Sequence, residues 1–336
     1  MIAAQNYGSL EASSHLRRFD AGRDLKRVAD LVEQCFADTL DADGRNYIRQ
    51  MRSAAQNPFY THFAGATAQR ISGPLSGFVW EDDERLVGNL TLIPYYLQSK
   101  RAYLIANVAV DRLYRRRGIA RHLTNKAIEY ARQHEAEVVW LHVRQENEAA
   151  LSLYRTLGFT ERARRTTWLL DSNVASSSAI ESLVRNYDPG YPQARITSRR
   201  REDWPAERAW LEDAYPKEVT WHLELRINKL APGFWGGLYR FLVDMNINQW
   251  SARVSNRLLG VLVINTSYSY SDRLWLAASP EHENEAAYHL LSFCRQKLHL
   301  HASLSLDFPS GRAETGIQAA GFRPHQTLIW MCLPLG

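Results

Sequence analysis

The chain has little cysteine: three residues in 336, Cys35, Cys294 and Cys332, far apart and without a CxxC pair. That argues against a disulfide framework and against a zinc site, so no metal is expected and a reducing cytoplasm is the expected compartment. Long apolar runs are missing as well. Nowhere do the ~18 consecutive apolar residues of a membrane span occur, and the opening stretch MIAAQNYGSLEASSHLRRFD holds no apolar segment of signal-peptide length. A soluble, unexported protein with no membrane partner is expected. Charge of one sign is also scarce. The 41 Lys and Arg against 36 Asp and Glu leave +5 over 336 residues, which admits a polyanionic ligand without demanding one. With 45% hydrophobic and 23% charged residues, neither disorder nor a fibrous class is indicated. The length exceeds the ~250 to 300 residues at which a single core stops growing, so two domains are expected.

Apolar spacing supplies the elements. Leu16 to Phe19 reads as a short strand, and Leu25, Val28, Leu31, Val32 and Phe36 recur at helical spacing, with a second helix near Asn46 to Ala55. LSGFVWEDDERLVGNLTLIPYY reads as a hairpin whose charged tip is Glu81 to Glu84. YLIANVAV is nearly all apolar, the mark of a strand buried on both faces. A helix begins directly after Gly118, followed by the strand EVVWLHV, the helix NEAALSLYRTLGF with Gly158 at its end, and the strand RRTTWLL. Serine and small residues then interrupt the pattern from Asp171 to Ser182, which sets the expected boundary. The expected division is 1–172, a linker at 173–193, and 194–336.

Between strand and helix lies RLYRRRGIARHL, Arg112 to Leu123, with arginines at 112, 115, 116, 117 and 121. A loop feeding a helix N-terminus presents free backbone N–H groups and the positive end of the helix dipole. Gly118 and Ala120 keep bulk away from such an anion, and arginine forks suit phosphate oxygens. Three readings stay open on these residues: a solvated helix start, a nucleic-acid patch and a phosphate cradle. Of these, the nucleic-acid patch wants further basic and aromatic residues tracking a backbone, which the neighbouring sequence lacks.

The run Arg115-x-x-Gly118-x-Ala120 behind NVAV resembles the pyrophosphate-binding motif of the GNAT superfamily of acetyl-CoA-dependent acyltransferases, and LHVRQENEAALSLYRTLGF resembles its second motif. The cadence is similar to that of the ribosomal-protein alanine N-acetyltransferases. The resemblance covers Leu16 to Leu170 as a fold and Leu104 to Phe159 as motifs. It implies an α/β fold of two tandem GNAT-like domains, each a mixed, mostly antiparallel twisted sheet flanked by helices. It further implies an N-acetyltransferase with acetyl-CoA as cosubstrate. The strand Val108-Ala109-Val110 would pair with the pantetheine arm. Arg115, Arg116, Arg117, Gly118, Ile119, Ala120 and Arg121 would wrap the pyrophosphate. Asn147 matches the family asparagine beside the cofactor, a position where it also suits a helix N-cap. Tyr154 matches the tyrosine that protonates departing thiolate, although its helical face also suits core packing.

His142 stands where the alanine acetyltransferases carry Glu in LEVR, and its ordinary pKa suits a general base. The departure puts the family's base and its acceptor in question, and a half-exposed strand histidine is the plain alternative. Asp38, Asp41 and Asp43, between the first two helices, either border a cationic amine or form a solvated loop. The acceptor is expected to be an amine-bearing small molecule or a peptide or protein N-terminus, the protein a monomer or homodimer with no nucleic-acid partner. A non-catalytic acyl-CoA-binding module is the alternative function.

The second half repeats the order of elements, and YRTLGF lies over IQAAGF, pairing Gly158 with Gly321. Aligning Leu123 with Leu290 puts Glu285 opposite Gly118, while Ile317 faces Tyr154. A carboxylate in place of the cradle glycine marks this half as degenerate and non-catalytic.

Overall fold

The computed structural model describes residues 15–40, 42–56, 76–97, 99–170, 190–220, 227–232, 246–266, 271–297 and 303–336. The expected linker therefore lies, up to residue 189, outside the described residues. The chain is α/β and forms two compact units, Met1–Arg162 with Trp330–Gly336, and Ala163–Ile329. This division follows contacts and not sequence order, so the first unit also holds the end of the chain.

The first unit contains β1 (Leu16–Arg18), α1 (Ala21–Phe36), α2 (Ala42–Ala55), β2 (Gly77–Asp82), β3 (Arg85–Leu97), β4 (Lys100–Val110), α3 (Ile119–Gln133), β5 (Val138–Arg144) and α4 (Glu148–Thr156). Asp20 caps α1 by accepting from the Gly22 and Arg23 amides, satisfying donors that the first turn cannot. The apolar stripe of α1 packs with Ile48 and Met51 of α2 on Val79, Leu86 and Ala109 of the sheet. The hairpin between β2 and β3 turns through Asp83 and Glu84, with φ of 45° and 63°, the left-handed pair that two-residue hairpins need. Glu81 is more than the hairpin tip suggested by its charge. It binds Arg17, Arg23 and Arg27, and the hydrogen bond from Arg17, followed by that from Arg27, holds its carboxyl down at about 2.

Strands β1 to β4 pair antiparallel, whereas β4 and β5 pair parallel. The parallel ladder runs only from Ala102↔Val138 to Ile105↔Leu141. Beyond it β4 continues without β5 as a ladder partner, and the unbroken burial of Ala102–Ile105 gives way to half-buried Ala106, Asn107 and Val108. A wedge thus opens between the ends of β4 and β5. β6 (Thr160–Leu170) starts in this unit.

In the second unit the order recurs as β7 (Arg195–Ser198), α5 (Trp204–Ala214), α6 (Lys217–Thr220), β8 (Asn246–Val254), β9 (Arg257–Thr266), β10 (Ser271–Ala278), α7 (Glu283–Lys297), β11 (Ser303–Pro309), α8 (Glu314–Ala319) and the start of β12 (Arg323–Pro334), which from Trp330 on belongs to the first unit. Its strands neighbour one another as β6-β11-β10-β9-β8-β7, and those of the first unit as β1-β2-β3-β4-β5-β12. The parallel pair β10–β11 also has four residue pairs, Ser271↔Ser303 to Leu274↔Leu306. Gly158 and Gly321 follow α4 and α8 with φ of 89° and 95°, the left-handed helix stop that the sequence pairing called for. No helix among the described residues is long and apolar enough to cross a membrane.

Candidate active site

The loop from β4 to α3 holds the arginine run. Asp111 is buried, accepts from the Leu113 amide at 2.9 Å and pairs with Arg85 at 2.7 Å. It thereby fixes the short turn Arg112–Tyr114 that leads out of the strand. Arg116 has a φ of 67°, and Gly118 caps α3 with a φ of 80° and no side-chain capping bond. The first-turn amides of α3 therefore have no protein acceptor among the described residues, and they open on a cleft of about 340 Å³. Val110, Arg115, Arg116, Gly118, Ile119, Ala120 and Arg121 line it from one side. Ala149, Ser152, Leu153 and Thr156 of α4 line it from the other. Arg121 donates to the Thr156 hydroxyl at 2.9 Å and joins the two walls. A Cβ added to Gly118 would meet only the His122 ring, at 3.7 Å. The cleft is thus open space with arginines and unpaired amides around it, a fit for a diphosphate.

The wedge meets this cleft at Val110. The Asp111 amide donates across to Val87 of β3 at 2.8 Å, so strand alternation turns the Val110 and Val108 amides the other way, into the wedge. Ala109 is buried against α1 and α2. The Val110 carbonyl accepts from Arg115 Nε at 3.2 Å and from the Cys35 thiol at 3.3 Å. Arg117 lies apart from the cleft lining, its guanidinium 4.9 Å from the centre of the Tyr114 ring.

Tyr154 and His142 lie outside the cleft lining. Tyr154 is 6% exposed, packs edge-on to Phe159, and its hydroxyl has no hydrogen-bond partner among the described residues. Desolvation pushes the phenol up to about 12, so it stays protonated at neutral pH. The His142 ring is accessible to water, yet protein surrounds it closely enough that desolvation pulls its pKa down to about 4. It is neutral at pH 7. Its ring centre is 5.1 Å from that of Trp330, which stands in edge contact with Trp140 at 6.5 Å. The Trp140 indole N–H is buried and unpartnered among the described residues. Asn147 caps α4, its Oδ1 accepting from the Ala150 amide at 3.1 Å. Of the acidic set, Asp38 is exposed, Asp41 lies outside the described residues, and so does the side chain of Asp43.

Sequence reasoning missed Tyr114 and the α4 wall. The small residues Ala149, Ser152 and Thr156 recur at helical spacing, a signal that was present. Trp330 carried no such signal, because it arrives from the far end of the chain.

Residues 45–159 match the model of the acetyltransferase (GNAT) family. The N-alpha-acetyltransferase RimI of Mycobacterium tuberculosis is 31% identical over 136 residues, 40% of this chain and 72% of that protein. The chain belongs to the GNAT acetyltransferase family. Another GNAT relative, the [ribosomal protein bS18]-alanine N-acetyltransferase of Escherichia coli, is 39% identical over 77 residues, 23% of this chain and 52% of that one. Among solved structures, a GCN5-related N-acetyltransferase from Sphaerobacter thermophilus covers 95% of this chain and 96% of its own, with a TM-score of 0.53 and 12% identity. At that identity it speaks for the GNAT fold alone. No group of three or more His, Cys, Asp or Glu among the described residues is placed to hold a metal ion.

Proposed function

We propose that the first unit transfers an acetyl group from acetyl-CoA to an amine and that the second unit is non-catalytic. The observation that carries the reading is the meeting of the uncapped α3 N-terminus with the wedge at Val110. Arg115, Arg116 and Arg121, with the amides at Gly118 to Arg121, would hold the diphosphate. The Val108 and Val110 amides would take the pantetheine arm as an added strand, and Val110 N–H would polarise the thioester carbonyl. The amine nitrogen forms the new C–N bond as the C–S bond breaks. Tyr154 gives its proton to the departing sulfur, and His142 accepts the proton lost by the amine. No covalent enzyme intermediate is needed.

For the second unit the support is equally local. Where the β10–β11 ladder ends, the Tyr215 hydroxyl accepts from the Leu276 amide at 3.1 Å. Counting from Ser279, whose amide crosses to β9 as Asp111 crosses to β3, Leu276 corresponds to Val108. The protein's own phenol thus occupies the amide that a pantetheine arm would need. The start of α7 is closed as well: Gly316 N–H donates to Asn284 Oδ1 at 3.0 Å, and a Cβ on Gly316 would lie 2.0 Å from the Asn284 carbonyl oxygen.

The relative from E. coli is named for an alanine of a ribosomal protein, which makes a peptide N-terminus the first acceptor to try and an amine-bearing small molecule the second. Thiol release from acetyl-CoA across a panel of peptides and small amines tests the reading. Release with at least one acceptor, suppressed in Tyr154→Phe, is the expected result; acetyl-CoA binding without release across the panel would replace transfer with a non-catalytic binding role.

A further inference from the structure

β4 is not a regular strand where it leaves β5. Its pairing with β3 slips between Asn89↔Ala109 and Thr91↔Ala106, so Asn107 and Val108 stand opposite Leu90 alone. This is a bulge, two residues against one. Asn107 takes a φ of 50°, a left-handed conformation that asparagine tolerates better than other side chains. Side chains hold it there. Asn89 Nδ2 donates to the Asn107 carbonyl at 2.9 Å, and Asn107 Nδ2 donates to the Tyr47 hydroxyl at 3.0 Å. Asn89 and Thr91 are each 1% exposed, so this polar group sits inside the protein, where unmet hydrogen bonds are costly. The Tyr47 phenol is pushed up to about 12 by burial, against the opposing hydrogen bond from Asn107. It remains a neutral partner at any working pH.

The bulge falls at the first residues past the parallel ladder, immediately before the amides of Val108 and Val110. Left-handed backbone at Asn107 re-aims the strand behind it, so the direction of those amides depends on the bulge being held. Tyr47 belongs to α2, a separate element from the strand that it holds. We infer that Tyr47, Asn107 and Asn89 form a positioning device that aims the Val108 and Val110 amides and ties that aim to the seating of α2. The inference rests on the transferase reading for its catalytic consequence but not for its structural one. None of the three residues is given contact with the reacting atoms.

The test uses the full-length protein and two variants, Tyr47→Phe, which keeps the ring and removes the acceptor, and Asn107→Gly, which keeps the left-handed backbone accessible and removes the side chain. Amide hydrogen exchange should quicken at least tenfold in both at Ala109 and Asp111, the amides that strand alternation turns toward β3 beside the bulge, with Ala102 to Ile105 unchanged. Acetyl transfer to a peptide with a free N-terminal alanine should lose ~10-fold in kcat, since misplacement of about 1 Å costs up to ~100-fold. The double variant should be no worse than the more affected single one, because the bonds act as one unit. Exchange at Ala109 and Asp111 matching the native protein in both variants would overturn the inference, as would native kcat in both. Wild-type protein that releases no thiol with the peptide or the wider panel would instead count against the transferase reading, while the exchange measurement still decides the bulge.

Discussion

Replacing Gly118 by glutamate separates binding from folding. Gly118 has a φ of 80°, where a residue with a Cβ loses about 1 kcal/mol or slightly more. No clash adds to this, because the nearest atom to an added Cβ is on the His122 ring at 3.7 Å. A carboxylate at a helix N-terminus returns ~0.3 to 1 kcal/mol. The net loss of stability is thus within ~1 kcal/mol, a shift of roughly 2 to 4 °C in Tm. Binding fares differently on the proposed reading. One carboxylate held ~4 Å from one phosphate charge at an effective dielectric of ~20 costs ~4 kcal/mol, or roughly a thousandfold in Kd. Titration calorimetry with acetyl-CoA, beside thermal unfolding of the same samples, reads both quantities. Gly118→Ala supplies the strain without the charge and should keep most of the affinity. A folded Gly118→Glu protein that binds acetyl-CoA within tenfold of the native protein would refute the cradle.

Tyr154→Phe removes a proton donor and little volume, so kcat should fall by ~10²- to 10⁴-fold with acetyl-CoA affinity unchanged; unchanged turnover would remove the acid role. Because desolvation lowers His142 to about 4, its neutral, proton-accepting form persists as pH falls below the ordinary value of ~6.5. The His142-dependent limb of kcat/KM should therefore appear near pH 4, with no loss between pH 8 and 5 from this group, and a limb near 6.5 that vanishes in His142→Gln would contradict it. Tyr215→Phe strips the buried Leu276 amide of its acceptor, at ~1 to 3 kcal/mol. Thermal unfolding of the second unit should shift down while thiol release stays at the native level; lost release would implicate that unit in catalysis.

How far the sequence was legible follows from how local each feature is. The strand-loop-helix course of Arg115 to Arg121 was readable because the run is contiguous and its backbone is set by the strand before, Gly118 within and the helix after. The first motif residues of α4 were readable for the same reason, and Asn147 takes the capping bond that its residue type favours at that position. Periodicity assigns a residue to a face, however, and not to a partner. Trp330 therefore could not be placed beside His142, nor Tyr47 beside Asn107, since both contacts join elements distant in sequence. The left-handed backbone at Asn107 was hidden for another reason: in NVAV an asparagine reads as one polar residue in a buried strand, and only the register slip against β3 shows why it is there. Glu81 shows the converse. As one of four charges at a hairpin tip it looked like a solvated turn, while three arginines from β1 and α1 converge on it.

The two wedges differ in occupancy far more than in construction. Each follows a parallel ladder of four pairs, Ala102↔Val138 to Ile105↔Leu141 in one unit and Ser271↔Ser303 to Leu274↔Leu306 in the other. In the first, Val108 and Val110 amides face space, and the helix behind begins at a glycine. In the second, Tyr215 is 1% exposed, packed edge-on to Trp275 and Phe308, with the Arg165 guanidinium 5.1 Å from its ring centre and bonded to Asp307. Burial raises the Tyr215 phenol well above its ordinary range, so it keeps its proton and remains a neutral partner for the Leu276 amide. An amide facing a closed, apolar wedge would be left unpaired at a cost of ~1 to 3 kcal/mol. In the second wedge the Tyr215 hydroxyl meets that amide and so stabilises the fold there. On the proposed reading, the open amides of the first wedge have the opposite meaning: they are donors left for a ligand, and until one binds they are met by water.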